Sequence, residues 1–205
     1  MTRRIAVVTA GLSQPSSTRL LADLLAGATD RAFRLAGEQT DIAVIELRDL
    51  AHAVTDHLMT GFPSGPLVDA LAAVRDADAL IAVTPVFSAS YSGLFKSFFD
   101  VLEDGTLEGK PVLVAATAGT ARHSLVLDFA MRPLFAHLRA HVVPTGVFAA
   151  SEDFGAAGAA GGLTARAERA GRELADAVLG RSRAGRVDPF DNPTPFEQLL
   201  GGQGT

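Results

Sequence analysis

A chain of 205 residues with net charge -5, 48% hydrophobic and 20% charged residues has the size and composition of one globular domain with a buried core. Its 18 lysines and arginines are scattered, so no basic patch marks a nucleic-acid partner, and the lack of cysteine removes disulfides, thiolate metal sites, iron–sulfur ligation and cysteine nucleophiles together. No apolar stretch approaches the roughly 18 residues of a membrane span, and the run after Arg3-Arg4 breaks too soon for a secretory leader, so the expected location is the cytoplasm.

In chain order, Ile5 to Thr9 is a continuous apolar run ending at Gly11, which predicts a first strand. Leu20, Leu21, Leu24, Leu25 and Ala28 then recur at helical spacing behind Ser16-Ser17-Thr18, so a capped helix starts near Ser17. Val44 to Leu47 predicts a second strand, followed by a variable surface loop with His52, Asp56 and His57, whose spacing matches no metal motif. Leu67, Leu71 and Val74 mark a short helix, Leu80 to Thr84 a third strand, and Leu94, Phe95, Phe98, Phe99 and Leu102 a third helix. Val112 to Thr117 predicts a fourth strand, and Leu127, Met131, Leu134, Phe135 and Leu138 a fourth helix that Pro133 should bend or restart. Val142 to Phe148, interrupted by Pro144, is the fifth strand, and Ala167 to Val178 a more solvent-facing helix. Gly155 to Gly162 is too rich in Gly and Ala to be an element.

Strand then helix, repeated five times without an internal repeat, predicts a doubly wound parallel sheet of order 2-1-3-4-5 with helices on both faces, over residues 1–184. Residues 185–205 carry Phe190, Phe196, Leu199 and Leu200 among Pro189, Pro193 and Pro195, and read as an extended arm.

Ligands of such a sheet bind outside the carboxyl ends of the strands, so the loops after Thr9, Thr84 and Thr117 are the ones to read for chemistry. The first, Gly11-Leu12-Ser13-Gln14-Pro15-Ser16-Ser17-Thr18-Arg19, gathers hydroxyls and an arginine at a helix start. Free N–H groups and the helix dipole there favour a phosphate, and Ser13, Ser16, Ser17, Thr18 and Arg19 are its candidate ligands. The same residues also make an ordinary capped turn. Neither a P-loop nor a dinucleotide fingerprint is present, which fits a monophosphate. The second loop contains Pro85-Val86-Phe87-Ser88-Ala89-Ser90, a stiff uncharged stretch suited to flat apolar contact with a ring system.

This second loop resembles the NAD(P)H-dependent FMN reductases of the flavodoxin-like superfamily. Their pattern Pro-x-Tyr-Asn-x-Ser-x-x-Gly-x-Leu-Lys-Asn-x-x-Asp is matched at Pro85, Ser90, Gly93, Lys96 and Asp100, with Phe87, Ser88, Phe95 and Ser97 as substitutes. In the first loop the family's Gly-Ser-x-Arg is kept at Gly11 but holds no arginine at its fourth place, for which Arg19 is a candidate substitute. The likeness runs roughly over residues 3–150.

The resemblance implies a flavodoxin-like fold, FMN as cofactor and NADPH or NADH as hydride donor. It places residues 85–90 beside the isoalloxazine, and Thr117, Ala118 and Gly119 against the pyrimidine edge, where Arg122 can stabilise negative charge. Acceptors would be free flavin, a quinone, an azo compound or a flavin-dependent monooxygenase, and the assembly a homodimer. No catalytic side chain and no metal are assigned. A flavodoxin-type electron carrier and a flavin-free regulatory domain remain as alternatives. His123, Ser124 and Asp128 lack the Gly-x-Ser-x-Gly context of a hydrolase.

Overall fold

The structure, a computed structural model, describes residues 2–155 and 162–180. The arm at 185–205 and most of the stretch from Gly155 to Gly162 lie outside the described residues.

Thr2–Thr9 (β1), Gln39–Glu46 (β2), Ala79–Phe87 (β3) and Pro111–Ala118 (β5) form a parallel sheet ordered β2-β1-β3-β5. His141–Val142 (β6) and Val147–Ala150 (β7) both pair with β5. They are the two pieces of the predicted fifth strand, separated at Pro144, which has no N–H to give a ladder. The spatial order is therefore the expected one, that of a flavodoxin-like fold. A two-residue strand, Ser90–Tyr91 (β4), adds an antiparallel hairpin at the end of β3.

Side chains alternate across the sheet and make two half-cores. Ile5, Val7, Ile81, Val83, Leu113 and Ala115 face Ser17–Leu35 (α1) and Gly162–Leu179 (α6). Ala6, Val8, Leu80, Ala82, Val112 and Val114 face Leu47–Thr60 (α2), Pro66–Asp76 (α3), Gly93–Asp100 (α4) and Arg132–His137 (α5). On that face Phe95, Phe99 and Phe135 pack ring against ring, with centroids 4.7 Å and 5.0 Å apart for the Phe95–Phe99 and Phe99–Phe135 pairs.

Four expectations are corrected. The stretch expected as a loop after the second strand is α2, whose Leu47, Leu50 and Val54 are buried at helical spacing. His52, Asp56 and His57 are residues of that helix. Strand β2 is longer than its apolar run and is not covered on both faces: it is an edge strand with Val44 37% exposed. Helix α6 is not mainly solvent-facing, because Leu163, Ala167, Ala170, Leu174 and Ala175 are buried in the α1-side core. Two helices, α2 and α3, connect β2 to β3, so the alternation is not strictly one strand and one helix. Pro133 sits at the start of α5, directly after a π turn over Leu127–Met131, as a helix restarted by proline requires.

Candidate functional site

The first loop leaves β1 at the reversal of strand order, where Ala10 N–H still donates to Val83 O at 3.0 Å. Gly11 follows because no side chain fits: a Cβ there would lie 2.1 Å from Ser16 Oγ and 3.1 Å from Thr18 Cβ. The loop thus folds back over Gly11 into α1, and Ser16 caps the helix by accepting from Arg19 N–H at 3.2 Å. The N–H groups of Ser17 and Thr18 belong to the first turn, where the helix offers them no acceptor. Ser13 and Ser17 are exposed. The Thr9 hydroxyl, on a residue 2% exposed, has no hydrogen-bond partner among the described residues. A cradle closed by glycine, with free N–H groups and hydroxyls at a helix start, can hold a phosphate monoester.

Besides Ser16, two of the expected ligands are engaged elsewhere. Arg19 bonds Asp23 at 2.8 Å and Glu46 through Nη1. The Asp23 hydrogen bond, with the charges of Asp23 and Glu46, holds its pKa above the usual arginine value against partial desolvation. Thr18, buried, shares a 2.8 Å hydroxyl–hydroxyl bond with buried Thr117 at the end of β5. That bond joins the first loop to the third across β3.

The second loop is a tight hairpin. β3 continues past the expected end at Thr84 to Phe87 and turns back at Ser88 and Ala89 into β4, pairing Val86 with Tyr91 and Phe87 with Ser90. Ser88 and Ala89 have φ of 48° and 65°, as a primed two-residue turn needs at both positions. Thr84 secures the base: its hydroxyl accepts from Ser92 N–H at 3.0 Å and donates to Pro85 O at 2.9 Å. Ser92 in turn caps α4 through Phe95 N–H. Phe87, 47% exposed, Ser88 and Ala89 project at the tip, while Pro85, Val86 and Ser90 are half-buried. Lys96 and Asp100, which matched the family pattern, form an i,i+4 ion pair on the outer face of α4 at 2.5 Å.

Pro85 pairs with Thr117, so the second and third loops leave adjacent strands side by side. After Thr117 and half-buried Ala118 the chain exposes Gly119, Arg122 and His123, the last two in a short 3-10 turn over Ala121–His123. Among the described residues no helix is long and apolar enough to cross a membrane, and no group of three or more His, Asp and Glu residues is placed to hold a metal.

A sequence profile of the NADPH-dependent FMN reductases matches residues 3–155. The NADH-dependent FMN reductase SfnF of Pseudomonas putida is 38% identical over 152 residues, 74% of this chain and 79% of its own. An FMN reductase (NADPH) of Pseudomonas aeruginosa is 36% identical over 151 residues, 74% of this chain and 78% of its own. The crystal structure of an oxidoreductase from Corynebacterium diphtheriae superposes with a TM-score of 0.83 at 47% identity, covering 88% of this chain and 99% of that one. With its sheet order, its first loop and these relatives taken together, the chain belongs to the NADPH-dependent FMN reductase family.

Proposed function

We propose that this protein reduces FMN with NADH or NADPH and passes the electrons to a free flavin, a quinone or a flavin-dependent monooxygenase, working as a homodimer in the cytoplasm. The observation that carries the reading is the meeting of three loops at the carboxyl end of the sheet: the first and third are bonded through Thr18 and Thr117, and the second lies beside the third through the Pro85–Thr117 pair. FMN, when bound, supplies the chemistry by taking up hydride from the nicotinamide and giving up electrons to the second substrate.

The residues have separate tasks in this reading. Ser13, Ser17 and the first N–H groups of α1 hold the phosphate over Gly11. Ser16 caps the helix and Thr18 fixes its start, so neither hydroxyl need touch the phosphate. The backbone of Pro85 to Ser90 would lie beside the flavin ring and leave one ring face open to the nicotinamide. Thr117, Ala118, Gly119 and Arg122 lie at the pyrimidine edge, where N–H groups and a guanidinium favour negative charge.

The relatives include one described as NADH-dependent and one as using NADPH, so both donors belong in the test. Purified protein with added FMN should oxidise one or both and bleach the flavin band. FMN that is bound, yet reduced only by a reductase protein and by neither nucleotide, would establish the electron-carrier reading instead.

A further inference from the structure

The phosphate site described above has no cation of its own in the first loop, since Arg19 is taken up by two carboxylates. A guanidinium nevertheless reaches that loop from another element. β2 pairs with β1 up to Thr9 and Glu46, so α2, which starts at Leu47, opens beside the first loop. From its second residue, Arg48 extends to Gln14; with the Gln14 amide turned so that its oxygen rather than its nitrogen faces the guanidinium, that oxygen accepts from Arg48 Nη1 at 3.0 Å and also from Nη2. Gln14 stands at the fourth place of the Gly-Ser-x-Arg pattern, where the chain has no arginine.

The state of this guanidinium is unusual. The Arg48 side chain is only 27% exposed, and its Nε is buried without a hydrogen bond. The nearest carboxylate, Asp49, has Oδ1 3.3 Å from Nε and is itself 64% exposed, so water screens its charge. The fork of donors on a guanidinium matches a phosphate.

The geometry points to Arg48 as the cation of the phosphate site, delivered from α2 and held at the first loop by Gln14. The inference rests on the FMN reading above. The negative charge it meets is the 5′-phosphate of FMN; NADPH, unlike NADH, offers the same chemistry at its 2′-phosphate, and the test separates the two.

Flavin fluorescence titrations of the full chain give the dissociation constants of FMN and riboflavin for the wild type, Arg48→Met, Arg48→Lys and Gln14→Leu. Arg48→Met should weaken FMN about 10- to 100-fold, the scale of a charge-assisted bond, and leave riboflavin unchanged. Arg48→Lys should restore part of the loss. Added salt should weaken FMN less steeply in Arg48→Met than in the wild type. Gln14→Leu frees the guanidinium without removing it and should cost less than Arg48→Met. If Arg48→Met does not fold, Arg48→Lys and Gln14→Leu still read the FMN-to-riboflavin ratio, and an unchanged ratio in both overturns the inference. Equal weakening of FMN and riboflavin would overturn it in favour of a residue that only shapes the loop. An altered ratio of NADPH to NADH KM with FMN affinity intact would overturn it in favour of the 2′-phosphate. A wild type that binds FMN no better than riboflavin refutes the phosphate site as well, whereas a phosphate preference undiminished in Arg48→Met refutes Arg48 alone.

Discussion

Ser17 and Thr18 are neighbours with the same functional group, yet the structure gives them different work. Ser17 is exposed at the head of α1, whereas Thr18 is buried and bonded to Thr117. Ser17→Ala should therefore weaken FMN several-fold and leave riboflavin and thermal stability nearly unchanged. Thr18→Val keeps the shape but strands the Thr117 hydroxyl, which costs about 1–3 kcal/mol of stability, and should weaken FMN and riboflavin together because two loops lose their tie. Melting curves and paired titrations separate the two cases; riboflavin loss in Ser17→Ala would contradict the placement of the phosphate. The hydroxyl cluster itself was legible in the sequence. Which hydroxyl is spent on structure was not, because Thr117 lies 99 residues away and meets Thr18 only once β3 and β5 are side by side. Arg48 escaped for the same reason: its contact with Gln14 depends on β2 lying next to β1.

Among the elements, the strands with continuous apolar runs were readable because both faces are covered. β2 extends beyond its apolar run because it is an edge, and α2 is masked by its polar residues although Leu47, Leu50 and Val54 carry the helical period. The hairpin had no such signal. Its turn residues are Ser88 and Ala89 rather than the Asn-Gly that usually marks a primed turn, so the left-handed backbone is written nowhere in the composition. An alanine held at φ 65° costs about 1–2 kcal/mol relative to glycine, offset in part by the extra freedom of glycine in the unfolded chain. Ala89→Gly should thus raise stability by up to about 1 kcal/mol, and Ala89→Val should lower it; an unchanged melting temperature in both would mean that the turn is not held in this conformation. Gly171 makes the opposite case. A Cβ there would meet Thr29 N at 2.8 Å and Ala28 C at 2.9 Å, backbone atoms of α1 that cannot swing aside. Helix propensity favours Gly171→Ala by up to about 1 kcal/mol, but overpacking of two helices costs about 1–3 kcal/mol. The clash should win, lowering the melting temperature by a few degrees, and since α1 must shift, FMN affinity should fall with it.

For the whole molecule, the surface left by the described residues keeps several large apolar side chains in water, among them Met59 at 82% and Phe62 at 78% exposure near the end of α2 and Phe129 at 78% in the π turn. Residues 185–205, outside the described residues, carry Phe190, Phe196, Leu199 and Leu200 among Pro189, Pro193 and Pro195. Each exposed apolar side chain gains roughly 1.5–3 kcal/mol on full burial, so the apolar surface of the described residues favours association. Removing everything after Arg186 should therefore shift the protein toward monomer in light scattering and weaken FMN in the same sample. The two readouts belong together under the proposed homodimer, in which loss of the subunit contact would withdraw whatever support it gives the flavin site. A truncated chain that stays dimeric and binds FMN as before would show that the arm does not join the subunits and that the contact lies on the folded domain itself.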